Sequence, residues 1–346
     1  MIPSIMLILF TCYFYFSAVT VDDEIKVCAD LIIKFVQTVS YQDDLEQQLN
    51  FYVECRAAFI KLDAVLIALV HAVNKTAAAA ASGGRRATSH LPRACAAYCF
   101  VTVPSLHCPL VRAQLYLLSG QVALLNRCIG QAEANFKALV GLIPDIPEFI
   151  LEDGQRKPTH IKVGGIISDF LSTLLMLPDN VDANCKAYIL SGFIKMMERI
   201  HWKKTEPLYY TTLLRVLDLL CEMTREHYVY HIDAVISNDK LYGSEEEFIK
   251  ALDKHATNIC QVLLAVLKLL GDNKEIKKQY TLALELFWRV VRRGEINKPS
   301  MMSLAVNLWI LSKKLQHHNY SLAKSILSAL KSDPNYQELL LQLGEG

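Results

Sequence analysis

The chain has almost no net charge and none of the short motifs that mark common nucleotide or metal chemistry. Thirty-six basic residues meet 35 acidic ones, leaving a formal net charge of +1. Phosphate binding needs a basic face, so this balance argues against nucleic acid as the main partner. Two basic clusters exist, Lys277 with Lys278, and Arg289 with Arg292 and Arg293. Both are short and flanked by acids, and they read as solvated helix faces. The sequence has no Walker loop, no GxGxxG after a strand, no GxSxG elbow and no HExxH. Gly83-Gly84 and Gly164-Gly165 are isolated and read as connectors. A convincing run of alternating strands is missing too.

Ten cysteines are present, yet none forms CxxC. Cys55, Cys128, Cys221 and Cys260 fall within helix-period segments. Cys95 and Cys99 stand at i,i+4, which suits packing on one helix face. Scattered cysteines of this kind behave as small buried hydrophobes in a reducing compartment. His227 and His231 also stand at i,i+4, a spacing that can bind metal, but no acid or cysteine in frame completes a site, although Asp233 is near. His107-Cys108 lies between Pro104 and Pro109 and fails as a dyad, because sequence adjacency does not bring nucleophile and base together. His317-His318 reads as an exposed helix end. Asp43-Asp44 and Glu245 to Glu247 sit at predicted helix starts, where the helix dipole explains them. No catalytic residue, metal or cofactor is expected.

What the chain does have is helical periodicity. Its 346 residues are 52% apolar, enough for one large domain or a repeat array. Apolar residues recur at i, i+3, i+4 and i+7 in successive blocks. Leu45, Leu49, Tyr52 and Val53 open one. Leu213, Val216, Leu217, Leu220 and Met223 form a second. Phe248, Leu252, Ile259, Leu263, Val266 and Leu270 form a third, with Ser244 as its N-cap. Gly271-Asp272-Asn273 is expected to close that helix. Gly294 and Lys298-Pro299-Ser300 separate the last long helices, with Pro299 in a first turn. The fold predicted is all-α, a HEAT-like or tetratricopeptide-like α-solenoid of stacked antiparallel helix hairpins. Gly120, Ala132, Phe136 and Pro144 match the spacing of a tetratricopeptide hairpin, where small residues let two helices cross closely. Ala323, Leu327 and Leu330 before Pro334 echo its second helix.

Residues 22–142 form the first helical repeats, with a flexible loop expected at 76–92 around an alanine run and Ser82-Gly83-Gly84. Residues 143–165, with Pro144, Pro147 and Pro158, read as a connector. Residues 166–343 form the C-terminal repeats. Residues 1–21 are apolar and aromatic and resemble a signal h-region or a marginal membrane span. They lack a basic n-region, since no Lys or Arg precedes Lys26. Asn74-Lys75-Thr76 and Asn319-Tyr320-Ser321 would be available for glycosylation if the chain were secreted.

Thr224 to Gly243, TREHYVYHIDAVISNDKLYG, differs in kind from the rest. It sets tyrosines and acids between two long helices. One reading is an inter-repeat turn held by tyrosine packing. The other is a loop projected for binding. Its candidate partner contacts are Tyr230, Asp233, Asp239 and Tyr242. Trp309 and Lys313, on a later helix, are further candidates. Trp309 with Leu308 and Leu311 also reads as core.

With AVNLWILSKKL (Ala305 to Leu315), this stretch resembles the C-terminal half of the scaffold subunit of retriever, in the retromer-scaffold-like vacuolar protein sorting family. DLEQQLNFYVECRAAF (Asp44 to Phe59), RACAAYCFVTVPSL (Arg93 to Leu106) and SGQVALLNRCIGQAEANFKALVGLIP (Ser119 to Pro144) fit the same family. The resemblance runs from about Asp22 nearly to the C-terminus. It implies a cytosolic, non-enzymatic α-solenoid, peripheral on endosomes, that recycles cargo to the plasma membrane. In that family the C-terminal half curves around a small metallophosphoesterase-fold subunit. The N-terminal half, which has no counterpart in this chain, holds an arrestin-like subunit. A coiled-coil and COMM-domain complex associates with the assembly, so membrane association is indirect. The family has no apolar leader, and residues 1–21 are then expected to be a mis-started gene model. Two other readings stand beside this one. The chain is a secreted or membrane-anchored helical protein led by residues 2–21, or it is a generic tetratricopeptide peptide-binding module.

Overall fold

The computed structural model describes residues 22–42, 44–82, 90–152, 154–178, 188–225, 241–242, 246–294, 296, 298–315 and 320–344. The leader-like residues 1–21, the centre of the expected loop and the Ser244 cap lie outside the described residues. Fourteen α-helices and one two-stranded hairpin occur among those described.

Two compact units result. The first contains α1 (Asp22–Thr38), α2 (Leu45–Ala58), α3 (Asp63–Ser82), α4 (His90–Thr102), α5 (Pro109–Leu125) and α6 (Ile129–Leu142). It also holds the strands β1 (Phe149–Glu152) and β2 (Gln155–Pro158), the start of α7 (His160–Leu174), and α8 (Tyr188–Arg199). Helices α1 to α6 and α8 each pack on a neighbour in sequence or on the next but one, the pattern of stacked hairpins. α2 starts where Asp44 accepts from the Gln47 amide at 2.9 Å, a side-chain N-cap. α5 starts with Pro109 in its first turn. The reversal between α5 and α6 takes three residues, 126–128, with Arg127 at φ 57°. There the tetratricopeptide signature is realised. Ala132 and Phe136 are fully buried, and Phe136 fills the space beside Gly120.

α3 is, among the described residues, the one helix long and apolar enough to cross a membrane. Here it is the centre of the unit. Val65, Leu66, Leu69, Val70 and Val73 are all 0% exposed. α3 also corrects the loop expected from residue 76, because it continues through Ser82. Alanine is the best helix former, so the run Ala77 to Ala81 extends the helix. His90 to Pro92 are helical as well.

The expected connector contains structure of its own. β1 and β2 pair antiparallel, Phe149 with Pro158 and Leu151 with Arg156, and Gly154 turns at φ 74°. Asp153-Gly154 between the two short runs is the hairpin signal in the sequence.

The second unit holds the rest of α7 and α9 (Pro207–Met223), α10 (Glu246–Asp272), α11 (Ile276–Arg293), α12 (Pro299–Lys314), α13 (Tyr320–Lys331) and α14 (Gln337–Leu343). Its core follows the periodic stripes. All six apolar residues of the α10 stripe and all five of the α9 stripe are buried. Pro299 opens α12, as its position predicts. The turn after α10 falls slightly later than expected. Gly271 and Asp272 are helical, and Lys274 reverses the chain at φ 57°.

Candidate functional site

Of the distinctive stretch after α9, the structure describes Thr224, Arg225, Leu241 and Tyr242. Tyr230, Asp233 and Asp239 lie outside the described residues, as do His227, His231, His317 and His318. Tyr242 is 3% exposed, and its hydroxyl donates to the backbone carbonyl of Leu175, just past the end of α7. It is therefore a packing residue that ties two segments of the second unit together.

Trp309 on α12 is also core. Its ring packs against Phe287 of α11, with centroids 5.1 Å apart. Its Nε1 is buried with no hydrogen-bond partner among the described residues. Lys313, one turn later and exposed, places its Nζ 5.9 Å from the Trp309 ring centroid. The sequence candidates thus separate. Tyr242 and Trp309 are interior, and Lys313 stands at the surface above Trp309.

Sequence reasoning missed a charged ladder between α9 and α11. Arg289 donates from Nε and Nη2 to the two Asp218 carboxylate oxygens, at 3.1 and 2.9 Å, a bidentate pair. Its Nη1 meets Glu285 at 2.5 Å. Arg293 donates to the Asp218 carbonyl at 2.8 Å and pairs with Glu222 at 2.9 Å. Glu222 also holds Arg225 at 3.2 Å. Burial, the largest influence on Arg289, works against its charge. The Glu285 hydrogen bond and the Asp218 carboxylate outweigh it and hold the Arg289 pKa above its ordinary value. Lys278 reaches Glu275 at 2.6 Å. The solvated-face reading is thus corrected for Arg289 and Arg293, which lie between helices. Arg292 is exposed and lies 5.2 Å from the Trp288 ring centroid.

The eight described cysteines are free thiols. Burial pushes the Cys55, Cys95 and Cys99 thiols up to about 12 and that of Cys221 up to about 11. A thiol so placed is a poor nucleophile and a poor metal ligand. His107 turns to Asp63, which accepts from its backbone amide and contacts Nδ1, both at 2.9 Å. Among the described residues, no group of three His, Cys, Asp or Glu is placed to hold a metal ion.

Asn74 corrects a further expectation. It is buried, and its Nδ2 donates to the Val70 carbonyl and to Ser119 Oγ, both at 3.0 Å. The amide that a glycan would need is occupied inside the fold. Asn319 lies outside the described residues.

Stacked hairpins whose marked residues either fill the core or bridge helices define an all-α solenoid protein. The sequence model of the VPS35L C-terminal domain matches residues 1–342, and the chain belongs to that family. The match starts at residue 1 and takes in the leader-like segment. The chain is 39% identical over 302 residues to "VPS35 endosomal protein-sorting factor-like" of Danio rerio, covering 86% of this chain and 31% of that protein. The Homo sapiens protein of the same name is 36% identical over 302 residues, with the same two shares. The Drosophila melanogaster protein "VPS35 endosomal protein sorting factor-like" is 36% identical over 301 residues, covering 87% of this chain and 31% of its own length. The chain therefore spans about a third of the length of these relatives.

Proposed function

We propose that the chain is a non-enzymatic scaffold in endosomal protein sorting, peripheral on endosomes from the cytoplasmic side. The observation that carries this reading is the match of nearly the whole chain to the VPS35L C-terminal domain. The names of the relatives, protein-sorting factors, support it. So does an architecture in which the conspicuous polar residues hold helices together. On this reading the helices from about Lys162 to Leu343 hold a metallophosphoesterase-fold subunit, and the assembly returns cargo from endosome to plasma membrane. The chain reaches the membrane through its partners, among them a coiled-coil and COMM-domain complex. Long-lived subunit interfaces are large and rest on apolar anchors more than on rim charges.

The test is titration calorimetry of the purified chain with the metallophosphoesterase-fold subunit from the same source. A saturable one-to-one complex is expected. No heat and no co-elution on size exclusion, for a chain with intact helical circular dichroism, would remove the partner assignment.

A further inference from the structure

The hairpin of the first unit projects apolar side chains into solvent. Leu151 is 79% exposed, and Phe149 is 42% exposed. Its two edges differ. The Thr159 amide donates to the Glu148 carbonyl at 2.9 Å, so residues 148 and 159 form a hydrogen-bonded pair. Such pairs alternate along an antiparallel ladder. Ile150 with Lys157 and Glu152 with Gln155 are therefore the next bonded pairs, and Phe149 and Leu151 turn their amides and carbonyls away from β2. On β2 the outward positions are Arg156 and Pro158. Pro158 has no N–H, so that edge is blocked in the manner of protected edge strands. Among the described residues, the outward N–H groups of Phe149 and Leu151 have no proline between them and no strand beside them, and Pro147, whose carbonyl accepts from Thr159 Oγ1, ends that edge.

Side chains sort the same way. Phe149 and Leu151 share one face with Arg156. The Arg156 guanidinium lies over the Phe149 ring, 4.3 Å from its centroid, and among the described residues it meets no carboxylate. Pro147, Glu148, Phe149, Ile150, Leu151 and Arg156 line a recess there. A strand added beside β1 would set its alternate side chains against Phe149 and Leu151, with the exposed Arg156 cation at its flank.

We propose that β1 is a docking edge for an extended segment of a partner protein, one that alternates apolar residues on one face and carries a carboxylate for Arg156. Main-chain hydrogen bonds to the Phe149 and Leu151 amides and carbonyls give affinity, and Arg156 gives preference for acid. The edge is independent of the metallophosphoesterase-fold partner assigned above, so either assignment can fail without the other.

The test uses the full chain and a fluorescein-labelled octapeptide alternating valine and threonine, with one glutamate. Two further peptides replace the glutamate by lysine or methylate alternate backbone nitrogens. Anisotropy is expected to show saturable binding of the acidic peptide, at least tenfold weaker binding of the lysine peptide, and none of the N-methylated one. Arg156→Glu should reverse the preference between acidic and basic peptides while leaving circular dichroism unchanged. Leu151→Pro, which removes one edge N–H, should abolish binding. Equal binding of the N-methylated peptide, or no binding at millimolar concentration, overturns the proposal. So would concentration-dependent self-association lost in Leu151→Pro, which assigns the edge to a second copy of the chain. Binding to anionic vesicles instead of the peptide would assign the exposed face to lipid and equally overturn it.

Discussion

The Phe136 ring occupies the space that a side chain on Gly120 would need. A Cβ at Gly120 would stand 2.8 Å from Phe136 Cδ1 and 2.9 Å from Cζ, closer than carbon atoms approach in real structures. Phe136 is 0% exposed, so its ring would have to shift inside a packed core. Gly120→Ala should therefore destabilise the chain by about 1–3 kcal/mol through overpacking. Gly141→Ala is the control. Gly141 lies in α6 with nothing within 4 Å of its Cβ position, so alanine there should raise stability, by up to about 1 kcal/mol. Urea midpoints decide both. Phe136→Leu should partly rescue Gly120→Ala, and a midpoint unmoved by Gly120→Ala would show that α5 and α6 cross less closely than described.

Tyr242 offers a two-step test of packing against recognition. Tyr242→Phe removes only the hydroxyl that donates to the Leu175 carbonyl and should cost about 1 kcal/mol. Tyr242→Ala removes the buried ring too and should cost about 3–5 kcal/mol. Partner capture should survive Tyr242→Phe. Loss of capture with an unchanged urea midpoint would return Tyr242 to the interface.

The ladder between α9 and α11 should be coupled. A double-mutant cycle on Asp218→Asn and Arg289→Leu is expected to give an interaction energy of about 1 kcal/mol or more. The Arg289 side chain is 16% exposed, so this coupling should persist in molar salt better than that of Lys250 with Glu246, whose side chains are 69% and 83% exposed. Additive single mutants would mean that the ladder is incidental to folding.

The buried thiols predict a pH dependence with a definite sign. Cys55, Cys95 and Cys99 have folded pKa values pushed up to about 12, against an ordinary value of 9.0. In that window the unfolded chain releases protons that the folded chain keeps, so stability falls as pH rises from about 9 to about 12. Below 9 these groups make stability neither rise nor fall with pH. Alkaline urea titrations should show the decline, and Cys99→Ala should reduce it. Iodoacetamide at neutral pH should spare these three thiols in the native chain and label them in urea. Rapid native labelling of Cys99 would refute its burial.

Long helices were legible from sequence wherever one apolar stripe sufficed to define them, as in α10, where every residue of the stripe is buried. The close crossing of α5 and α6 was legible too, because Gly120, Ala132 and Phe136 fall at tetratricopeptide spacings within one hairpin, whereas the seating of the Phe136 ring on Gly120 was not. Three further features were not. The expected loop spans Ala77 to Ala81, where alanine's helix propensity outweighs the turn-forming glycines that follow. The hairpin was missed because its strands are four residues long and β2, Gln155–Pro158, has no apolar alternation. The ladder joins residues 71 positions apart, and a charge on a helix face looks the same in sequence whether it meets water or another helix. For the candidate contacts, periodicity correctly suggested that Trp309 is core. Nothing local to Tyr242 revealed its bond to Leu175.

The three-residue reversal between α5 and α6 also bears on how the chain is made. Gly120 and Phe136 are close in sequence, so their contact closes a small loop at little entropic cost. Most packing in the first unit joins a helix to its neighbour or to the next but one, which favours rapid, local assembly. Synthesis proceeds from the N-terminus and at a pace far slower than hairpin closure. The α5–α6 pair can therefore form soon after Leu142 leaves the ribosome, while α9 to α14 are still untranslated. A slow codon run placed beyond residue 142 would lengthen the life of that partly built unit, with its next packing surface open to chaperones.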